Sequence, residues 1–416
     1  MLHAVVVILD GVRRDSVTPE LMPCLSAFAA GATGFAAHRS VFPSATRVVS
    51  STMATGCFPA RHGLQGNTVV LMEAGRLVRR DAGLPDFLQH RRAITGTSLA
   101  MPTMAQRLAP HGGALIFSNV SPGAAYTHDP DGYGHLYHRA GSFGPGRVAL
   151  ADGLDIACDI EGDRVMTERF IAVLPRRAAL SMIWMGEPDH MQHAVPLGSP
   201  EHLAVLRAAD AHAGLIIDAV AARRAVGEDV LLIVASDHGH ETVSGVVDVE
   251  GALVAAGLKA AMDSDDVVSA ANGCSCLIYV HPDQRARIPA IGAFLRGQDW
   301  AGRVFDAVDL AEVGQSTAGG LAFAVAMRSS LEINAYGVPG LSLVAMPSDG
   351  KPDRLGCGQH GGLGTWEQSP FLMIAGSGFA TEAMRRDPTS AVDIAPTVLA
   401  HLGLPASGMD GRPLQQ

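Results

Sequence analysis

The chain reads as an α/β protein built on a mostly parallel sheet, and two observations carry that reading. Short apolar, β-branched runs alternate with longer stretches of helical periodicity. The runs are continuously apolar rather than alternating, as strands covered on both faces require. Core strands are expected at 4–9, 114–117, 181–185, 230–235 and 371–375, and helices at 22–30, 46–55, 200–221 and 391–402.

Two stretches interrupt the alternation. Residues 121–146 are dense in Gly, Pro, His and Tyr, as expected of a long loop over a functional face. Residues 242–353 carry their own strand-like runs at 276–280, 321–327 and 341–346 and a helix near 284–296. The expected organisation is a catalytic α/β core over 1–241 and 354–416, an inserted smaller α+β cap over 242–353, and an active-site loop over 121–146.

Composition narrows the function classes. The 416 residues include 31 basic and 41 acidic side chains, a net charge of −10. That balance gives no general attraction for a nucleic acid polymer or an anionic membrane. No apolar run approaches the length of a membrane span, and the first residues lack the charged and apolar regions of a signal peptide, so a cytoplasmic location is expected. Six sparse cysteines fit a reduced compartment, and Cys274-Ser-Cys276 reads as an ordinary pair rather than a metal site. Lysine occurs only at Lys259 and Lys351, so a fixed cation beside a bound anion is expected to be an arginine or a metal.

The acidic and histidine residues fall where parallel sheets bind ligands, at the carboxyl ends of strands. Strand one ends in Asp10-Gly11; the 181–185 strand leads into Glu187-Pro188-Asp189-His190-Met191-Gln192-His193; the 230–235 strand ends in Ser236-Asp237-His238-Gly239-His240. A later loop adds His360-Gly361-Gly362. Taken singly, such an Asp is usually a cap or turn former and such a His an ordinary hydrogen-bonding group. Asp10, Asp189, His193, Asp237, His238 and His360 together are too many for one tetrahedral site, and carboxylates with imidazoles suit zinc. Two sites are the natural reading, and a two-metal centre suits phosphoryl transfer.

Phe42-Pro43-Ser44-Ala45-Thr46 precedes a helical pattern, which puts Thr46 at a helix N-terminus where backbone N–H groups face an anion. A threonine hydroxyl needs activation to attack phosphorus, and a neighbouring metal supplies it.

These residues resemble the nucleotide pyrophosphatase/phosphodiesterase branch of the alkaline phosphatase superfamily, close to phosphonoacetate hydrolase. The resemblance rests on Phe42-Pro43-x-x-Thr46, Thr52-x-x-Thr55-Gly56-x-x-Pro59-x-x-His62-Gly63 and Asn67. It also rests on Asp10, Pro188-Asp189-x-x-x-His193, Asp237-His238-Gly239 and His360-Gly361, so it spans residues 10 to 361. It implies an alkaline-phosphatase-like fold with two zinc ions, one held by Asp10, Thr46, Asp237 and His238 and the other by Asp189, His193 and His360. It implies Thr46 as the nucleophile of a phosphothreonine intermediate, and Asn67 as the donor to a phosphoryl oxygen.

Departures from the pattern bear on the substrate. Arg47-Val48-Val49 follow the nucleophile where family diesterases carry Phe-Pro-Asn, and the lysines that phosphonoacetate hydrolases use for a carboxylate have no counterpart in 70–160. Arg47, Tyr133, His135, Tyr137, His138 and Arg139 are the candidates for contact with a small phosphorylated or phosphonate substrate. Trp184 reads as packing. The main expectation is a phosphodiesterase; the alternatives are a phosphonoacetate-type phosphonate hydrolase and a non-catalytic, metal-dependent anion-binding protein.

Overall fold

The computed structural model describes residues 2–174, 178–348 and 350–415. Among the described residues the central sheet has ten strands, and five adjacent ones run parallel: His135–Tyr137, Ala114–Ser118, Leu180–Met185, His3–Leu9 and Val230–Ala235, in that spatial order. Strand Leu372–Ala375 joins the far side antiparallel, against Val230–Ala235. Its N-terminal end therefore lies at the edge where the parallel strands finish.

All seven residues of His3–Leu9 are buried. Ala4, Val6 and Ile8 enter one apolar cluster, and Val5, Val7 and Leu9 enter another on the opposite face. Alternate side chains of a strand point to opposite faces, so a continuous apolar run is what a doubly covered strand needs. Each large aliphatic side chain so buried contributes roughly 1.5–3 kcal/mol. Helix Thr46–Thr55 lies in the first cluster through Val48, Val49 and Met53, and helix Pro200–Ala225 lies in the second through Leu206, Ala213 and Ile216.

Residues 241–345, together with Gly358–Gln359, form two smaller sheets. One orders Ser329–Ile333, Pro339–Ala345, Glu241–Val247 and Gly358–Gln359; the other orders Val267–Ala271, Ser275–Val280, Leu321–Met327 and Ala301–Phe305. Phe42, Val70 and Leu77 share an apolar cluster with Ala270, Leu277, Tyr279 and Phe305. This segment is thus packed directly against the stretch that leads into Thr46. Residues 121–146 contain a short helix, Pro122–Tyr126, and strand His135–Tyr137, so part of the expected loop belongs to the sheet.

Candidate active site

Three turns at the carboxyl edge of the parallel strands deliver the acidic groups. Asp10 directly follows His3–Leu9, Asp237 lies two residues beyond Val230–Ala235, and Asp189 opens the helical turn Asp189–Gln192 that places His193 beside it. His360 arrives from the segment leading toward the antiparallel strand. Gly11, at φ +72°, makes the first turn: a Cβ there would stand 2.7 Å from His240 Nε2. Its N–H donates to Asp237 Oδ1 at 3.0 Å, which ties two strand ends together.

The side chains gather into two adjoining clusters, Asp10 with Asp237 and His238, and Asp189 with His193, His240 and His360. His238 and His360 stack across the boundary, with ring centroids 3.6 Å apart. The six ligands expected from sequence thus converge. His240 completes the second cluster, with its Nε2 2.7 Å from Asp189 Oδ1. It lies two residues past His238 and carries no spacing signal of its own.

The donor chemistry fits bound metal. The Nδ1–H groups of His193, His238 and His360 donate to the backbone carbonyls of Gly358, Gly239 and Ser44, at 2.9, 3.1 and 2.7 Å. Each Nε2 is left facing its cluster, as second-shell anchoring of ligating imidazoles requires. Burial keeps His193 neutral, its pKa lowered to about 3, and burial together with His238 lowers His360 well below its ordinary value. Buried Asp10 Oδ1 and Asp237 Oδ2 have no hydrogen-bond partner, an arrangement that costs several kcal/mol unless a cation answers it. Burial, then the neighbouring Asp237 and Asp189, raises the Asp10 pKa well above the carboxylate range. Burial opposes a charge on His238, yet Asp237 at 3.0 Å holds its pKa up. A metal ion in place of that proton would serve the same acceptors.

Thr46 is the first residue of helix Thr46–Thr55, behind Ala45 as N-cap. Its hydroxyl makes no capping bond and stands 3.1 Å from His238 Nε2. The helix ends at Gly56 in the left-handed region, whose N–H returns to the Thr52 carbonyl. His62 accepts from Leu64 N–H at Nδ1, so its Nε2–H donates to Thr52 Oγ1 at 3.2 Å and braces the helix to the turn before Asn67. Asn67 Oδ1 accepts the Arg47 backbone N–H at 3.1 Å, which turns the Asn67 amide NH₂ outward. Asn272 holds the next residue, accepting from Thr68 N–H and donating to Thr68 O. Glu367 accepts from Gly362 and Gly364 N–H and from the Ser44 hydroxyl, securing the loop that carries His360. Trp184 is buried packing, as read from sequence, and its Nε1–H also donates to Asp10 Oδ2 at 3.0 Å.

Residues 4–292 match the family of type I phosphodiesterase / nucleotide pyrophosphatase. The chain belongs to that family. It is also similar in fold to murine ectonucleotide pyrophosphatase / phosphodiesterase 5, at 18% identity and a TM-score of 0.68, over 98% of this chain and 97% of that one. An inactive threonine-to-alanine form of the murine protein, in complex with AMP, matches at 17% identity and a TM-score of 0.68, over 99% of this chain and 97% of that one. Comparison with curated proteins finds no match. The family member thus has the expected alkaline-phosphatase-like α/β fold, and no helix among its described residues is long and apolar enough to cross a membrane.

The expected substrate contacts divide. Arg47 lines a cleft of about 380 Å³ with Asn67, His193 and His360. Tyr133, His135 and Tyr137 instead line a separate cavity with Gly112 and Ala114, at the start of the neighbouring strand and so at the opposite edge of the sheet. His138 is fully buried with its Nε2 on the Val120 carbonyl, and Arg139 is held by Asn119 and Val120. Tyr133, His135 and Tyr137 thus face another cavity, whereas His138 and Arg139 lie past the strand end at the carboxyl edge but are spent on the backbone and side chain of Asn119 and on Val120. The main cleft is completed by Lys351 and Arg354. A lysine therefore does reach this site, paired to Asp81 at 2.7 Å.

Proposed function

We propose that this family member hydrolyses phosphodiesters through a covalent phosphothreonine on Thr46, with two zinc ions held by the two clusters. The observation that carries the reading is the Thr46 hydroxyl beside His238, at the junction of two clusters, the first of which holds the unpartnered oxygens Asp10 Oδ1 and Asp237 Oδ2. Asp10, Asp237, His238 and Thr46 would hold one ion; Asp189, His193 and His360 would hold the other. Bound there, the ions would favour the Thr46 alkoxide and neutralise charge building on the phosphoryl group.

The chain's own groups supply the rest. Thr46 Oγ1 forms a bond to phosphorus while the ester bond to the departing alcohol breaks. The outward amide of Asn67 donates to a non-bridging oxygen whose charge grows in the transition state. The first turn of the helix adds its N-terminal dipole. Water then cleaves the Thr46–phosphate bond, releasing a monoester and restoring the hydroxyl. A small-molecule substrate and no polymer partner fit the net charge of −10 and the size of the cleft.

The test is turnover of bis-p-nitrophenyl phosphate by zinc-supplied protein, with trapping of phosphate on Thr46 after acid quench. Zinc-dependent turnover with label on Thr46 is expected. Phosphate binding without turnover of any activated ester would return the non-catalytic reading.

A further inference from the structure

Arg47 is a cation of this cleft whose guanidinium makes no hydrogen bond among the described residues, although Asp81 acts on it through space. Its backbone N–H is engaged by Asn67 and its carbonyl by Ser51. Its guanidinium forms no hydrogen bond or ion pair among the described residues, and its Nε is buried without a partner. The other cations of the cleft are committed: Lys351 to Asp81, and Arg354 to the His193 carbonyl at 2.8 Å. Asp81, the acid beside Arg47 on the cleft wall, is spent on Lys351 and on the Gly83 N–H at 2.8 Å.

The fold also makes room for this group. A Cβ on Gly83 would collide with the Arg47 guanidinium, and φ at Gly83 is not in the left-handed region. Space, rather than backbone conformation, is what glycine provides there. A partly buried guanidinium with free donors, one residue from the nucleophile and in the same cleft as Asn67 and two ligand histidines, is arranged to receive an oxyanion in fork geometry.

We propose that Arg47 recognises a second anionic group on the substrate, a carboxylate or another phosphoryl group. This rests on the phosphoryl-binding role proposed above and deepens it. The substrate class is then a small phosphoryl or phosphonyl compound bearing a further negative charge, not a diester with two neutral arms. Arg47, Asp81, Lys351 and Arg354 give the cleft its charged lining, beside the apolar Val344, Pro347 and Pro352.

The experiment measures binding to zinc-supplied Thr46→Ala protein, where turnover cannot intervene, by calorimetry with methylphosphonate, phosphonoacetate and methylenediphosphonate. At least one doubly anionic ligand is expected to bind about tenfold or more tightly than methylphosphonate, and the preferred one tells carboxylate from phosphoryl. Adding Arg47→Ala removes the gap while leaving methylphosphonate unchanged; Arg47→Lys keeps part of it. Gly83→Ala, which displaces the guanidinium without removing its charge, narrows it. No gap in the parent, an unchanged gap in Arg47→Ala, or equal weakening of every ligand overturns the proposal. Wild-type turnover of bis-p-nitrophenyl phosphate is scored separately, so failure of the phosphodiesterase reading and failure of this inference give different results.

Discussion

The Thr46 hydroxyl and the His238 imidazole meet at 3.1 Å although 192 positions separate them in the chain. Helix Thr46–Thr55 does not need that hydroxyl, because Ala45 occupies the N-cap and Thr46 makes no capping bond. Thr46→Ala should therefore fold normally, alanine being the better helix former. It should lose at least about 10⁴-fold in kcat toward an activated diester, as removal of a covalent nucleophile does elsewhere. Zinc content by atomic spectroscopy should remain near two per chain. Activity within tenfold of wild type would remove Thr46 from the chemistry.

Asn67 is fixed by the Arg47 backbone on one side and by Asn272, through Thr68, on the other. Its free amide is thus a preorganised donor, and Asn67→Ala should lower kcat by about 10²–10³-fold. Because the interaction strengthens in the transition state, KM should move far less. A KM effect alone would mean that Asn67 only holds the ground state.

Much of this arrangement was legible in the sequence because it depends on local rules. Continuous apolar runs marked the parallel strands, and acidic residues just beyond them could only lie at one edge of the sheet. Helix Thr46–Thr55 was readable to its ends from its periodicity and from Gly56. What escaped depended on long-range packing. His240 joins the Asp189 cluster only because two loops converge, and Lys351 reaches the cleft from 270 positions beyond Asp81. The cluster of 133–139 is divided by one short strand, His135–Tyr137, which leaves Tyr133 at the far edge of the sheet and carries His138 and Arg139 to the carboxyl edge, where Asn119 and Val120 hold them.

Removing zinc should destabilise the protein in a pH-dependent way. The Asp10 carboxyl, raised by burial and then by Asp237 and Asp189, binds its proton more tightly folded than unfolded. Its contribution to metal-free stability is therefore present at low pH and is lost as pH rises through the raised folded value. Zinc competes with the same protons. The increase in Tm on adding zinc to chelator-treated protein should thus grow as pH rises. A gain that is flat or falls with pH contradicts the assignment.

Glu367 gives a second pH signature. Burial, then the neighbouring Glu241, pushes its pKa up to about 8. Since the unfolded group titrates near 4.5, native stability should decline as pH rises between those values and level off above about 8. Glu367→Gln removes that slope. It also sets an amide NH₂ against one of the Gly362 and Gly364 N–H donors, at a cost of about 1–3 kcal/mol. Thermal unfolding from pH 5 to 8.5 should show a flatter profile with a lower maximum; an unaltered slope would assign the titration elsewhere.

His240 separates two ways of building the second cluster. The three expected imidazole ligands each spend Nδ1–H on a backbone carbonyl and keep Nε2 for the cluster, whereas His240 turns Nε2 to Asp189 Oδ1 at 2.7 Å and leaves a buried Nδ1 without a partner. In that geometry His240 would act as an N–H donor that orients Asp189 and withdraws charge from one of its oxygens, while its place in the cluster would equally let it serve as a fourth ligand. Outer partners of this kind typically contribute 10–100-fold in metal affinity. His240→Gln, whose amide can reach Asp189, should weaken one of two zinc ions by less than about tenfold, and His240→Ala by about 10–100-fold. Both variants should keep a stoichiometry of two at saturating zinc. Competition with a chromophoric chelator measures the affinities, and a stoichiometry that falls to one in His240→Ala would instead make His240 a direct ligand.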